Sequence, residues 1–182
     1  MPRIPPLDPA VAPPKNREIL DRFDPPLRIF RLMAQAETSF RPLLRLGTSI
    51  LTEQTLSPAL RELSILRVAR VSGADYEWTQ HVPIAEAVGV SRDQIAALEL
   101  DDVTASCFGE VEQAVLRFTT QVVRHVDCDE AAFAALAAHL SHREIVELIL
   151  AIGFYMMLAR LMVVAQIEPD APAGTKVLER AR

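Results

Sequence analysis

Apolar residues return along this chain at the three-and-four spacing of helices, and no segment alternates as a strand would. Ile29, Phe30 and Met33, then Leu43, Leu44 and Ile50, predict helices over Leu27 to Ala36 and Phe40 to Leu51. A short helix before them, Arg17 to Phe23, ends at Asp24-Pro25-Pro26. Ser57-Pro58, an N-cap residue before proline at the first helical position, opens a helix to Val71 that Gly73 stops. Further helices run from Asp75 to Val88, from the capping box Ser91-x-x-Gln94 to Leu98, from Gly109 to His125 and from Glu130 to His139. Ser141-x-x-Glu144 caps the last long helix, to about Ile167. Glycine is scarce, at 6, and hairpin dipeptides are missing, so the pattern predicts an all-α domain of about seven or eight helices.

Proline divides the chain. Eight of the 13 prolines fall in residues 2–26, which predicts an extended arm over residues 1–16. The arm lies on the body or on a neighbouring subunit, or else hangs free as a tail. The helical domain then covers residues 17–168, and Pro169 and Pro172 release a polar tail, 169–182. The opening Leu56-Ser57 then Glu62-Leu63 is echoed by Leu140-Ser141 then Glu147-Leu148.

Composition narrows the function classes. A length of 182 residues supports one full core. The formal net charge of -5 argues against nucleic acid as a partner. The uncharged stretch Leu148 to Ala159 is twelve residues, short of a membrane span, and suits a core helix. With no export signal at Met1-Pro-Arg-Ile-Pro-Pro, the expected compartment is the cytoplasm. Cys107 and Cys128 stand twenty-one residues apart, so they form no disulfide framework, Cys₄ zinc site or Cys-x-x-Cys pair. Both read most simply as small apolar residues.

Polar residues on apolar helix faces carry the candidate chemistry. Glu62 has Ala59, Ile65, Leu66 and Ala69 at helical spacing. Its carboxyl pKa should rise unless a cation meets it, and Arg61, Arg67 and Arg70 are near in sequence. His81 sits among Ala74, Trp78, Ile84, Ala85 and Val88, with Glu77 four residues before it to orient the imidazole. Pro83 either bends this helix beside His81 or ends it early.

The stretch from Leu56 to Leu98 resembles the core motif of the carboxymuconolactone decarboxylase / AhpD-like superfamily. In its redox branch a glutamate is followed, one helix later, by Cys-x-x-Cys-x-x-x-His. The glutamate falls on Glu62, the histidine on His81 and an intervening tyrosine on Tyr76. The two cysteine positions hold Ala74 and Glu77. The segment from Ile145 to Leu161 is also similar, including Tyr155 and Arg160, and the likeness covers about two-thirds of the chain. The resemblance implies an AhpD-like helical bundle. Peroxide reduction needs a thiolate beside a resolving thiol, and neither is present at the motif. Glu77 before His81 instead resembles the decarboxylase branch.

Three functions remain open. The first is a cofactor-free acid–base enzyme, carboxy-lyase-like, acting on a small organic acid or lactone through Glu62, Glu77 and His81. There Tyr155 and Arg160 would hold a substrate carboxylate, and Tyr76 and Trp78 would line the pocket. For Arg160 the competing role is a helix–helix salt bridge, and for the aromatics core packing. The second is a metal site on Glu62, Glu77 and His81, although only one histidine is well placed. The third is a non-catalytic ligand-binding or assembly relative. Under each, the last helix, apolar nearly all round from Ile145 to Val164, implies a homo-oligomer: dimer, trimer or hexamer.

Overall fold

The computed structural model describes residues 1–23 and 25–175, and its described residues fold into nine α-helices and one 3₁₀ turn, with no strand. Asp24 and residues 176–182 lie outside them, so the stop at Asp24 and the end of the polar tail do too. The helices are α1 (Pro14–Leu20), α2 (Arg28–Met33), α3 (Glu37–Thr52), α4 (Pro58–Ser72), α5 (Asp75–Ala87), α6 (Arg92–Glu99), α7 (Glu110–His125), α8 (Glu130–Ala137) and α9 (His142–Ala165). The all-α reading holds. α1 starts at Pro14, inside the stretch that reads as arm, because proline is at home in a first helical turn.

α4 is the axis. It packs against α5, α7 and α9, and every residue from Arg61 to Ala69 is buried. α9 is its main apolar partner. Ile65 and Val68 of α4 pack in one core with Leu148, Ala151, Ile152 and Tyr155 of α9 and Val115 and Phe118 of α7. A second core joins α4, α5, α6 and α7 through Leu63, Leu66, Ala85, Leu98 and Leu116. A third lies under α1, α2 and α3, where Leu20, Ile29, Leu32 and Phe40 meet Tyr76 and the end of α9. By length and composition α9 could cross a membrane, which the twelve-residue uncharged stretch alone did not predict. One side of it is core and the other is exposed.

Caps set the joints. Ser91 and Ser141 make the two capping boxes expected of them. Ser57 stands at the N-cap of α4 but makes no side-chain cap. The turn before α4 is held from α9 instead, where Glu147 Oε2 accepts the amides of Thr55 and Leu56, both at 2.8 Å. Gly73 ends α4 at φ 63°, a left-handed conformation open to glycine, and turns the chain straight into α5.

The N-terminal segment and the described residues after α9 are tied to the body. Arg3 N–H donates to Ala165 O at 2.8 Å, Leu7 N–H to Arg31 O at 3.1 Å, and Gln35 Nε2 to Pro5 O at 3.0 Å. The segment after α9 is no free tail as far as Thr175. Asp170 accepts from Arg28 N–H at 2.6 Å, and Ala173 N–H donates to Gln80 Oε1 at 3.0 Å.

Replacing Glu147 by alanine removes the acceptor for two amides, one of them part-buried. Denaturant titration of Glu147→Ala should show a loss of about 1–3 kcal/mol, the range for a buried amide left without its charged partner.

Candidate active site

α4 and α5 run antiparallel from the Gly73 turn. Glu62 lies eleven residues before Gly73 and His81 eight after it, roughly 16 Å and 12 Å along their helices at 1.5 Å per residue. The two side chains therefore meet across the helix pair. His81 Nδ1–H donates to Glu62 Oε2 at 2.8 Å, with Glu62 fully buried. Arg61 Nε donates to the other oxygen of Glu62 at 3.3 Å, from a side chain that is itself buried. The partner of the imidazole is thus Glu62 on the neighbouring helix. Glu77, expected to orient it from one turn away, does not.

Glu77 has a different environment. It is 2 % exposed, and among the described residues neither of its oxygens has a hydrogen-bond partner. Burial, and then the charge of Glu62, push its pKa well above the ordinary glutamate value of 4.5. Its place in the first turn of α5 would favour the anion by about 0.3–1 kcal/mol. A desolvated carboxylate costs several kcal/mol, so the neutral acid wins.

A cavity of about 680 Å³ opens beside this pair. Its α5 wall is Tyr76, Glu77, Gln80, His81 and Ile84, one helix face. Phe154, Tyr155, Leu158 and Met162 of α9 form a second wall, and α1, α2 and α3 cover the rest. Tyr155 meets the His81 ring edge-to-face, with centroids 4.7 Å apart at 87°. Burial, then the charge of Glu62 and that of Glu77 once it ionises, raise its phenol pKa well above 10.0. Gly47 lets α3 approach closely: a Cβ there would lie 3.0 Å from the Phe154 ring.

The structure brings Glu62, Glu77, His81 and Tyr155 together, with Glu62 behind the imidazole and the other three on the cavity wall. Tyr76 is on the wall too, but its hydroxyl donates to Asp170 Oδ2 at 2.5 Å. Trp78 is turned away and packs with Ala69, Ala74 and Ala159. Arg160 is exposed, donates to Met156 O one turn back at 2.7 Å, and borders a separate apolar groove with Ile149, Met157 and Leu161. It neither faces the cavity nor bridges helices by an ion pair with a described residue. Pro83 sits inside α5, which runs on to Ala87.

Sequence reasoning missed Gln80 and Asp170. Gln80 is anchored by donating to the carbonyls of Asp170 and Ala171 at 3.3 Å and 3.2 Å. Asp170 also takes Arg28 in an ion pair at 2.7 Å. Gln80 was legible, three and four residues from Glu77 and Tyr76 on the face that carries His81; Asp170 had no signal. Neither cysteine lines the cavity, and both are free thiols. Burial, then Asp127, Asp129 and Glu130, push the Cys128 thiol pKa up, away from a nucleophilic thiolate. Among the described residues no three histidine, cysteine or acidic side chains converge as a metal-ligand set.

An all-helical domain with a carboxylate–imidazole pair across an antiparallel helix hairpin is the class defined so far. The model of the carboxymuconolactone decarboxylase family matches residues 37–121. The matched segment resembles that family, and the two cysteines of the chain, Cys107 and Cys128, form no Cys-x-x-Cys pair. An AhpD-core, peroxidase-related protein from Ralstonia eutropha has a TM-score of 0.79 at 18% identity, over 93% of this chain and 92% of its own. A peroxidase-related protein from Silicibacter sp. has 0.78 at 16% identity, over 100% and 98%. The debrominase Bmp8, in a cysteine-to-alanine form with 2,3,4-tribromopyrrole, has 0.76 at 20% identity, over 98% and 97%. At these identities the likeness is one of fold. No curated protein matches the sequence.

The chain has only two tyrosines, and burial raises both phenols, with Asp170 adding to the shift at Tyr76. An ultraviolet titration of the folded protein should show almost no phenolate at pH 10.0, where a free tyrosine is half ionised. Unfolding at that pH should bring both to about half ionisation.

Proposed function

We propose that this protein is a cofactor-free acid–base enzyme of carboxy-lyase type, a decarboxylase or related lyase or isomerase, acting on a small organic acid or lactone. One observation carries the reading: a buried carboxyl group unpartnered among the described residues, Glu77, shares a largely apolar cavity with an imidazole whose other nitrogen is already held. With Nδ1–H committed to Glu62, neutral His81 keeps its lone pair on Nε2. That nitrogen is the base. Glu77 is the acid, and the neutral Tyr155 hydroxyl is a second donor.

In a proton transfer, His81 Nε2 takes a proton from the carbon next to a carbonyl. The electron pair of that C–H bond moves onto the carbonyl oxygen, which Glu77 and Tyr155 hydrogen-bond as it becomes negative. The imidazolium formed is stabilised by Glu62 and returns the proton to carbon. In a decarboxylation the C–CO₂ bond supplies the electron pair instead, and protonated His81 delivers the proton to the carbon left behind. The apolar walls keep water from competing. The same reading places the enzyme in the cytoplasm as a homo-oligomer, with no nucleic-acid or membrane partner. The exposed Val146, Ile149, Leu150 and Val164 of α9 support the oligomer.

Two experiments test the roles. Incubated in D₂O with carboxymuconolactone, the wild type should release CO₂ or exchange carbon-bound protons by NMR. Glu77→Gln and His81→Gln should each slow this by about 10²–10⁴-fold while remaining folded. Wild-type inactivity with ligand binding intact would favour the non-catalytic reading.

Glu77 also leaves a stability signature. Between pH 4.5 and its raised folded value, the native state holds a proton that the unfolded state has lost. Stability is greatest below this window and falls as pH rises through it, by up to about 1.4 kcal/mol per pH unit from this group. Denaturation of Glu77→Gln across the same range should lack that slope.

A further inference from the structure

The cavity is electrically polar from end to end. Its closed end is walled by Glu77 and His81, with Glu62 behind the imidazole, all buried. Its open end is ringed by exposed charges: Lys15, Arg22, Arg41 and Arg45 against Glu18 and Glu53. Arg22 reaches Glu18 at 3.9 Å. Among the described residues Lys15, Arg41 and Arg45 make no hydrogen bond or ion pair, so the described rim is net positive in a chain whose formal net charge is -5. Arg41 and Arg45 stand one turn apart on α3, on one face. Between the two ends the wall is apolar, with Phe23, Leu27, Phe30, Leu44 and Leu158.

We infer that the substrate is an amphiphilic organic acid, bound with its carboxylate outward on Arg41 and Arg45, its apolar body in the cavity and an uncharged carbonyl or lactone end against Glu77 and His81. This rests on the reading of the cavity as the catalytic site. The orientation follows from charge. A carboxylate at the closed end would lie near the charge of Glu62, behind His81, and give up its hydration with no cation of the described lining to meet it. At the rim it keeps part of its hydration and gains two guanidinium groups with donors to spare. The volume of about 680 Å³ suits a body larger than a bare lactone ring, within the ~300–1,000 Å³ of pockets for drug-sized ligands. Arg160, which the sequence offered for this task, lies outside the cavity, and Arg41 and Arg45 take its place. The recognised carboxylate is then remote from the reacting carbon, so within the acid–base reading proton transfer at the inner carbonyl is favoured over loss of that carboxylate as CO₂.

Isothermal calorimetry with decanoate and its neutral isostere decanamide tests this without turnover. The wild type should bind decanoate roughly tenfold more tightly than decanamide, the scale of one or two solvent-exposed charge pairs, and added salt should shrink the gap. The double variant Arg41→Gln/Arg45→Gln should bring decanoate down to the level of decanamide and leave decanamide where it was. Equal wild-type affinities, no binding of either probe, or an equal loss for both in the double variant would overturn the inference. Each of those results leaves the effect of Glu77→Gln on turnover to stand or fall separately. Conversely, full activity in Glu77→Gln would remove the acid–base reading and leave the charge preference intact.

Discussion

The arrangement depends on the burial of α4. Nine consecutive residues, Arg61 to Ala69, lie out of water, and three of them carry charge. A helix buried on all sides cannot turn a polar face outward, so each charge needs a partner brought to it. Arg67 is met by Thr120 of α7 and by Asp101, whose left-handed backbone at φ 62° follows the end of α6. Glu62 is met by Arg61 beside it and by His81 from α5. The contacts that satisfy α4 therefore also fix where α5, α6 and α7 stand. One of them, the pair with His81, is the heart of the candidate site.

The two glutamates of the site show how environment divides one residue type into two roles. Glu62 is the more deeply placed, yet it has a cation and an imidazole within hydrogen-bond reach. Glu77 is nearly as buried and has neither. The charge of Glu62 adds to the burial that keeps Glu77 neutral. A hydrogen-bonded carboxyl group and one unpartnered among the described residues thus arise side by side, the charge of the first reinforcing the raised pKa of the second.

Much of this was legible in the sequence because it is periodic. Glu62 and His81 each sit on an otherwise apolar helix face, and Gly73 between them sets an antiparallel hairpin. Their distances from Gly73 place them at similar depth. The choice of partner was not legible in the same way. Spacing of four on one helix puts Glu77 beside His81, but the register of two helices, set by the turn and by packing on α9, put Glu62 closer. The misplacement of Arg160 was avoidable. It lies five residues after Tyr155, which at 100° per residue is about 140° around the helix, on the opposite side. Asp170 lies 94 residues from Tyr76, and prolines at 169 and 172 announce irregular backbone without saying where it lands.

The cysteine positions of the motif can now be read chemically. Ala74 is buried at the N-terminal edge of α5, and Glu77 is the third residue of that helix, facing the cavity. A helix N-terminus favours thiolate and carboxylate alike. A carboxyl under full burial beside Glu62 is held toward its acid form, because the desolvation of its concentrated charge outweighs the helix end.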